Sequence, residues 1–208
     1  MKLKTLAALC KKEGVFCLYD RANADGEIVE QWLGTASAVY PLPDLPYLTE
    51  AHLVALFDIT EKQLAKMSIK HGALPESINF EHTDPAEIIL NREKMTLAYD
   101  GLIVRPLMTR DGLELINDAY LSPLADVADE LELYERHTAS GQIYFAAKMG
   151  LMLVGVIMPT RLVEEQFVES VEALARRSRA ALTLKNERKA QNKADAGQIT
   201  IDEGSGDE

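Results

Sequence analysis

The side chains able to do chemistry are few and widely spaced. His52, His71, His82 and His137 have no ligand-type pairing with one another or with Cys10 and Cys17, the only cysteines. A metal site in a short chain shows its ligands as close pairs, so no metal is expected. His71 and His82 fall in an irregular stretch and read as solvated loop histidines. Ser37, Ser122 and Ser140 lack the glycine-flanked context of a nucleophile elbow. No glycine-rich phosphate loop is present. Carboxylates are abundant, and in an acidic chain pairs such as Glu132 and Glu135 read as solvated surface. The expectation is a non-enzymatic protein without a cofactor.

One group of charges does stand out. Arg176, Arg177, Arg179, Lys185, Arg188 and Lys189, with Lys193 beyond them, are opposed only by Glu187. These residues are candidate phosphate contacts. The competing reading is a charged helix surface near a C-terminus, where cations suit the helix dipole. The absence of stacking aromatics favours that second reading. The whole chain carries a net charge of −11 with a pI near 4.9. A protein that coats phosphates is basic overall, so any DNA contact requires segregated positive charge or encirclement. Two thiols without a disulfide pattern fit a cytoplasmic protein. No apolar run reaches the length of a membrane span, and no membrane partner is expected. MKLKTLAALCKKEG reads as an amphipathic first helix rather than a signal peptide, because charge cuts its apolar stretch short.

The elements that must position these residues are short. Leu3, Leu6, Ala7 and Cys10 mark one face of a helix that Gly14 ends. Val15–Tyr19, Ile28–Leu33 and Thr35–Tyr40 read as strands, with Trp32 as a core anchor in preference to a surface hot spot for a partner. Pro41, Pro43 and Pro46 punctuate a loop. Thr49 caps a helix through Phe57, and Thr60 with Gln63 begins another. Asp100-Gly101 is a hairpin turn between two strands. Leu113–Ile116 is a strand, Asp118–Val127 a short helix broken by Pro123, and Leu131–Arg136 a half-exposed strand. Gln142–Met158 holds two apolar runs around Lys148-Met149-Gly150, the pattern of a hairpin whose second strand is buried on both faces. These elements predict an α+β fold of two small helix-plus-antiparallel-sheet units, 1–70 and 95–162. An irregular linker at 71–94 separates them, with short strands at Ile78–Phe80 and Ile88–Leu90. A C-terminal helix at 163–193 and an unstructured acidic tail at 194–208 complete the expectation.

From Leu113 the order is strand, short helix, alternating strand, hairpin strand and an apolar strand closing in Val156-Ile157-Met158-Pro159-Thr160-Arg161-Leu162. This order and its ending resemble the last half-domain of the bacterial sliding clamp, whose chain ends in two aliphatics followed by Met-Pro-x-Arg-Leu. Residues 1–48, with a helix, three strands and the Leu-Pro-x-Leu-Pro loop at Leu42–Pro46, resemble the corresponding clamp piece more loosely. Thr49–Arg92 has no counterpart.

The resemblance implies a curved sheet backed by helices and a scaffold role in DNA replication or repair. It implies a partner-peptide pocket formed with Val156, Ile157, Met158, Pro159, Arg161 and Leu162. Protein partners, DNA held without base specificity, and a homo-oligomer go with it. A ring of 208-residue chains needs more copies than the three-domain bacterial clamp, which fits a reduced protein of a phage or mobile element. The alternative is a protein-interaction or regulatory module with no DNA role.

Overall fold

The computed structural model describes residues 1–91 and 95–198, with the side chains of the last helix described to Lys193. In chain order the elements are α1 (Leu3–Glu13), β1 (Val15–Ala22), β2 (Ile28–Gly34), β3 (Ala38–Pro41), α2 (Glu50–Leu56), α3 (Glu61–Leu64), β4 (Ser68–Ala73) and β5 (Ile88–Leu90). Then follow β6 (Leu97–Tyr99), β7 (Leu102–Thr109), β8 (Gly112–Asn117), a 3-10 helix (Asp118–Val127), β9 (Leu131–His137), β10 (Ile143–Met149), β11 (Met152–Ile157) and α4 (Glu165–Gln198). The fold is α+β with a long C-terminal helix. The expected unstructured tail begins inside α4, and its residues 199–208 lie outside the described ones.

Local signals set most of these elements. Gly14 adopts φ 70°, the left-handed conformation that ends α1. Thr49 with His52, and Thr60 with Gln63, form reciprocal capping boxes on α2 and α3. Asp100 and Gly101 both take positive φ, which matches the twist of a two-residue hairpin between β6 and β7.

The expected separation into units at 1–70 and 95–162 is not how the strands assemble. Eight strands form one sheet in the order β4-β1-β2-β3-β11-β10-β9-β5, and β6-β7-β8 form a second. The β3–β11 pairing fuses the two halves, and Met1–Arg161 is a single compact unit. The intervening stretch keeps the expected strand at Ile88–Leu90, gains β4 and loses the other expected strand. β4 pairs parallel to β1, and β5 pairs with β9, whereas Ile78–Phe80 forms no strand.

Strand alternation sends side chains to two faces. On one face Phe16, Leu33, Tyr40, Phe145, Ala147 and Ile157 pack with α1, the 3-10 helix, β7 and β8. On the other, Trp32, Val39, Tyr144, Ala146 and Val156 pack with Phe80 from the loop after β4. Trp32 is thus a core residue, edge-on to Phe80 at 4.9 Å. Gly34 ends β2 where a Cβ would lie 1.9 Å from the Ala38 carbonyl oxygen. That neighbour is backbone and cannot swing away. Gly34→Ala is expected to cost about 3 kcal/mol, the upper end of ordinary overpacking, read from the urea midpoint.

Candidate functional site

The place where the two halves of the sheet meet is the best-formed candidate site. Only Val156–Val39 and Ile157–Ala38 pair across it. Two and four residues beyond Val39 stand Pro41 and Pro43, which have no N–H to continue a ladder. The strands part there, and a cavity of about 330 Å³ opens. Pro41, Pro43, Leu124, Val127, Met149 and Met152 give it an apolar lining, to which Met1, Glu30 and His82 also contribute. Flexible thioethers suit a surface that repacks around varied apolar groups. The backbone N–H of Leu153 in β11 donates to His82 Nδ1 at 3.3 Å, which places the ring proton of neutral His82 on Nε2. At the other end of the seam, Tyr19, Ser37, Val39, Phe80, Val156 and Met158 line a smaller cavity of about 180 Å³.

The six predicted pocket residues do not converge. Val156 and Met158 line the smaller cavity together. Ile157 points to the opposite face and is fully buried in the main core. Pro159 is half-buried and Arg161 exposed, while Leu162 begins the second compact unit. Strand alternation sends Val156 and Ile157 to opposite faces, and β11 ends at Ile157, so the four predicted residues after it are not held in one pleated row.

The predicted phosphate contacts are all exposed on α4. At 3.6 residues per turn, Arg176, Arg177, Arg179, Lys185, Arg188 and Lys189 are spread round the helix rather than along one stripe. Arg176 pairs with Glu172 one turn away at 3.6 Å. A different basic group was missed by sequence reasoning. Lys11 of α1, Lys62 of α3 and Lys66 in the turn after it line a cavity of about 340 Å³ with Thr60 and Gln63. Lys62 and Lys66 sit one turn apart, a spacing visible in the sequence, but Lys11 arrives from a distant segment.

Charged side chains also hold the loop that covers the outer face. Arg136, 1% exposed, donates from Nη1 to the carbonyls of Asn79 (3.0 Å) and Glu81 (2.9 Å), and from Nη2 to that of His82 (3.3 Å). Its Nε donates to Glu87 at 2.9 Å, and Lys148, also buried, donates to the same carboxylate at 2.6 Å. Lys148 lies 4.6 Å from the Tyr134 ring centre. The Asp84 carboxyl in this loop is held below the usual range, first by the Ala86 backbone N–H and also by Asn79 and Arg136.

The expectation that Glu135 is solvated surface is wrong. It is fully buried and accepts from the Arg110 backbone N–H (2.9 Å) and Nε (3.1 Å). His71 likewise is no loop histidine, because it lies in β4 and bonds Asp20 at 2.8 Å. Cys10 and Cys17 are buried free thiols, and burial raises Cys10 to about 12.

Among the described residues, no group of three or more His, Cys, Asp or Glu is placed to hold a metal ion. Among them too, no helix is long and apolar enough to cross a membrane. No family model, curated protein or solved structure matches the chain.

Proposed function

We propose that this protein is a non-enzymatic, sliding-clamp-like scaffold that works on DNA in replication or repair and recruits protein partners at the β3–β11 seam. The observation that carries this reading is an internal repeat. α1 is followed by the three-strand meander β1-β2-β3, and the 3-10 helix by the meander β9-β10-β11. The third strands of the two meanders join antiparallel. A clamp-like domain is a pair of such helix-plus-sheet halves, and the second half here closes in the Met-Pro-Thr-Arg-Leu stretch. Lys11, Lys62 and Lys66 supply the local positive charge that a chain of net charge −11 needs near phosphates.

The test is made on the full chain. Sedimentation equilibrium is expected to give a closed oligomer of fixed stoichiometry. Its retention on nicked circular DNA should be lost on linearising the DNA and should weaken as salt rises. Combining Lys11→Glu, Lys62→Glu and Lys66→Glu should reduce DNA association about tenfold or more. A monomer at every concentration, without DNA association, overturns this reading.

The methionine-lined seam cavity supports a second reading, a protein-interaction module with no DNA role. Apolar peptide binding lost in Met152→Asp, with no DNA association by the wild type, would select it.

A further inference from the structure

The helix α4 carries an unusual charge order. Glu165, Glu169 and Glu172 occupy its start with no cation among them, while from Arg176 to Lys193 seven cations stand against Glu187 alone. At 34 residues the helix is about 50 Å long. Its apolar residues recur with heptad spacing. Val168, Ala175 and Leu182 are seven apart, with Val171 and Ser178 at the intervening positions. This seam is open to solvent: Val171 is 40% and Leu182 59% exposed. A narrow seam with that spacing is the pattern that pairs one helix with another.

We propose that α4 is a self-association element, which pairs antiparallel with α4 of a second copy of this chain. Charge selects both the partner and the direction. A parallel pair would set glutamates beside glutamates and cations beside cations along its full length. An antiparallel pair sets the acidic start of each helix beside the basic half of the other. With Val171 of one copy against Leu182 of the other, Ala175 meets Ser178, and small residues at the crossing allow close approach. Glu172 then lies beside Arg179 of the second copy. Two-fold symmetry repeats every contact. Antiparallel helix dipoles add to the preference. The inference does not rest on the clamp-like reading.

Sedimentation equilibrium on the full chain is expected to show a dimerisation step whose dissociation constant rises with salt. Leu182→Asp should raise it at least about tenfold, because the aspartate would be desolvated in the seam. Leu182 is exposed in the single chain, so circular dichroism should show the fold of the variant intact. Glu172→Arg and Arg179→Glu should each weaken the dimer, and the two together should restore it.

Cysteine crosslinking reads the direction. Val171→Cys mixed with Leu182→Cys should form a disulfide, whereas Val168→Cys alone should not pair with itself. The native thiols are buried and do not compete. A monomer at all concentrations, a dimer unchanged by Leu182→Asp, or self-crosslinking at 168 overturns the proposal. An oligomer that persists in Leu182→Asp and still depends on circular DNA would leave the clamp-like reading standing while this one falls.

Discussion

Arg136→Ala is expected to destabilise the protein by about 3–5 kcal/mol, the range for removing one partner of a buried ion pair. The guanidinium is the common donor for three loop carbonyls and the Glu87 carboxylate. Its loss leaves those acceptors on a covered face without their donor. Lys148 would remain paired with Glu87, so the lost interactions are chiefly those to the loop. For a chain of this size the melting temperature should fall by roughly 6–20 °C. Arg136→Met should cost nearly as much, because it restores volume but no donor. Combining Arg136→Met with Glu87→Met should cost less than the two separate losses added together. Urea titrations of the four proteins measure that coupling. A loss below about 1 kcal/mol in Arg136→Ala would mean that water reaches these acceptors and the loop is held by its apolar contacts instead.

Alkaline pH should destabilise the protein progressively from about pH 8.5 upward. Burial raises Cys10 to about 12, an effect to which Cys17 and Glu13 add. Burial also raises Tyr40 well above its ordinary value, and raises Tyr120 and Tyr144. The folded state therefore keeps protons that the unfolded chain releases, at about pH 8.5 for a thiol and about 10 for a phenol. Stability from these groups is complete below those values and is lost as pH rises toward the folded pKa. Each group that titrates only in the unfolded chain removes about 1.4 kcal/mol per pH unit. Urea midpoints measured from pH 8 to pH 11 should fall, and steepen once the phenols join the thiol. Cys10→Ala should lower stability at pH 7 through the cavity it leaves, yet flatten the profile above pH 9. A profile that is level up to pH 11 would show that these groups ionise in place.

The parts of the fold that sequence reasoning recovers are those whose partners are close along the chain. The Asp100-Gly101 hairpin, the Thr60–Gln63 cap and the β10–β11 hairpin each carry their own chemistry within a few residues. β4 escapes because its residues, Ser-Ile-Lys-His-Gly-Ala, are mostly polar and it lies at a sheet edge, paired only to β1. The loop from Leu74 to Glu87 looks irregular because Arg136 and Tyr144, far along the chain, determine its path.

Glu135 and Arg136 are harder still. Their alternation with apolar neighbours is that of a solvated strand, and only the charges facing them reveal that both are buried. The seam cavity depends on where Pro41 and Pro43 fall relative to β11, a register that is fixed only when the two halves meet. The closing motif Val156–Leu162 was legible as a strand end, but the assignment of its residues to one pocket ignored that Val156 and Ile157 alternate and that β11 stops at Ile157.

That narrow seam has a kinetic consequence. Each meander joins strands that are neighbours in sequence, and such contacts close small loops quickly. Val39 and Val156 are on the order of a hundred residues apart, so their pairing requires the closure of a large loop. The two meanders can therefore organise independently, and their docking becomes the slow step that commits the chain. Until it occurs, each half presents β3 or β11 as an unpaired apolar edge, open to the same edge of another molecule. The protein is then most exposed to misassociation during the interval between forming its halves and joining them.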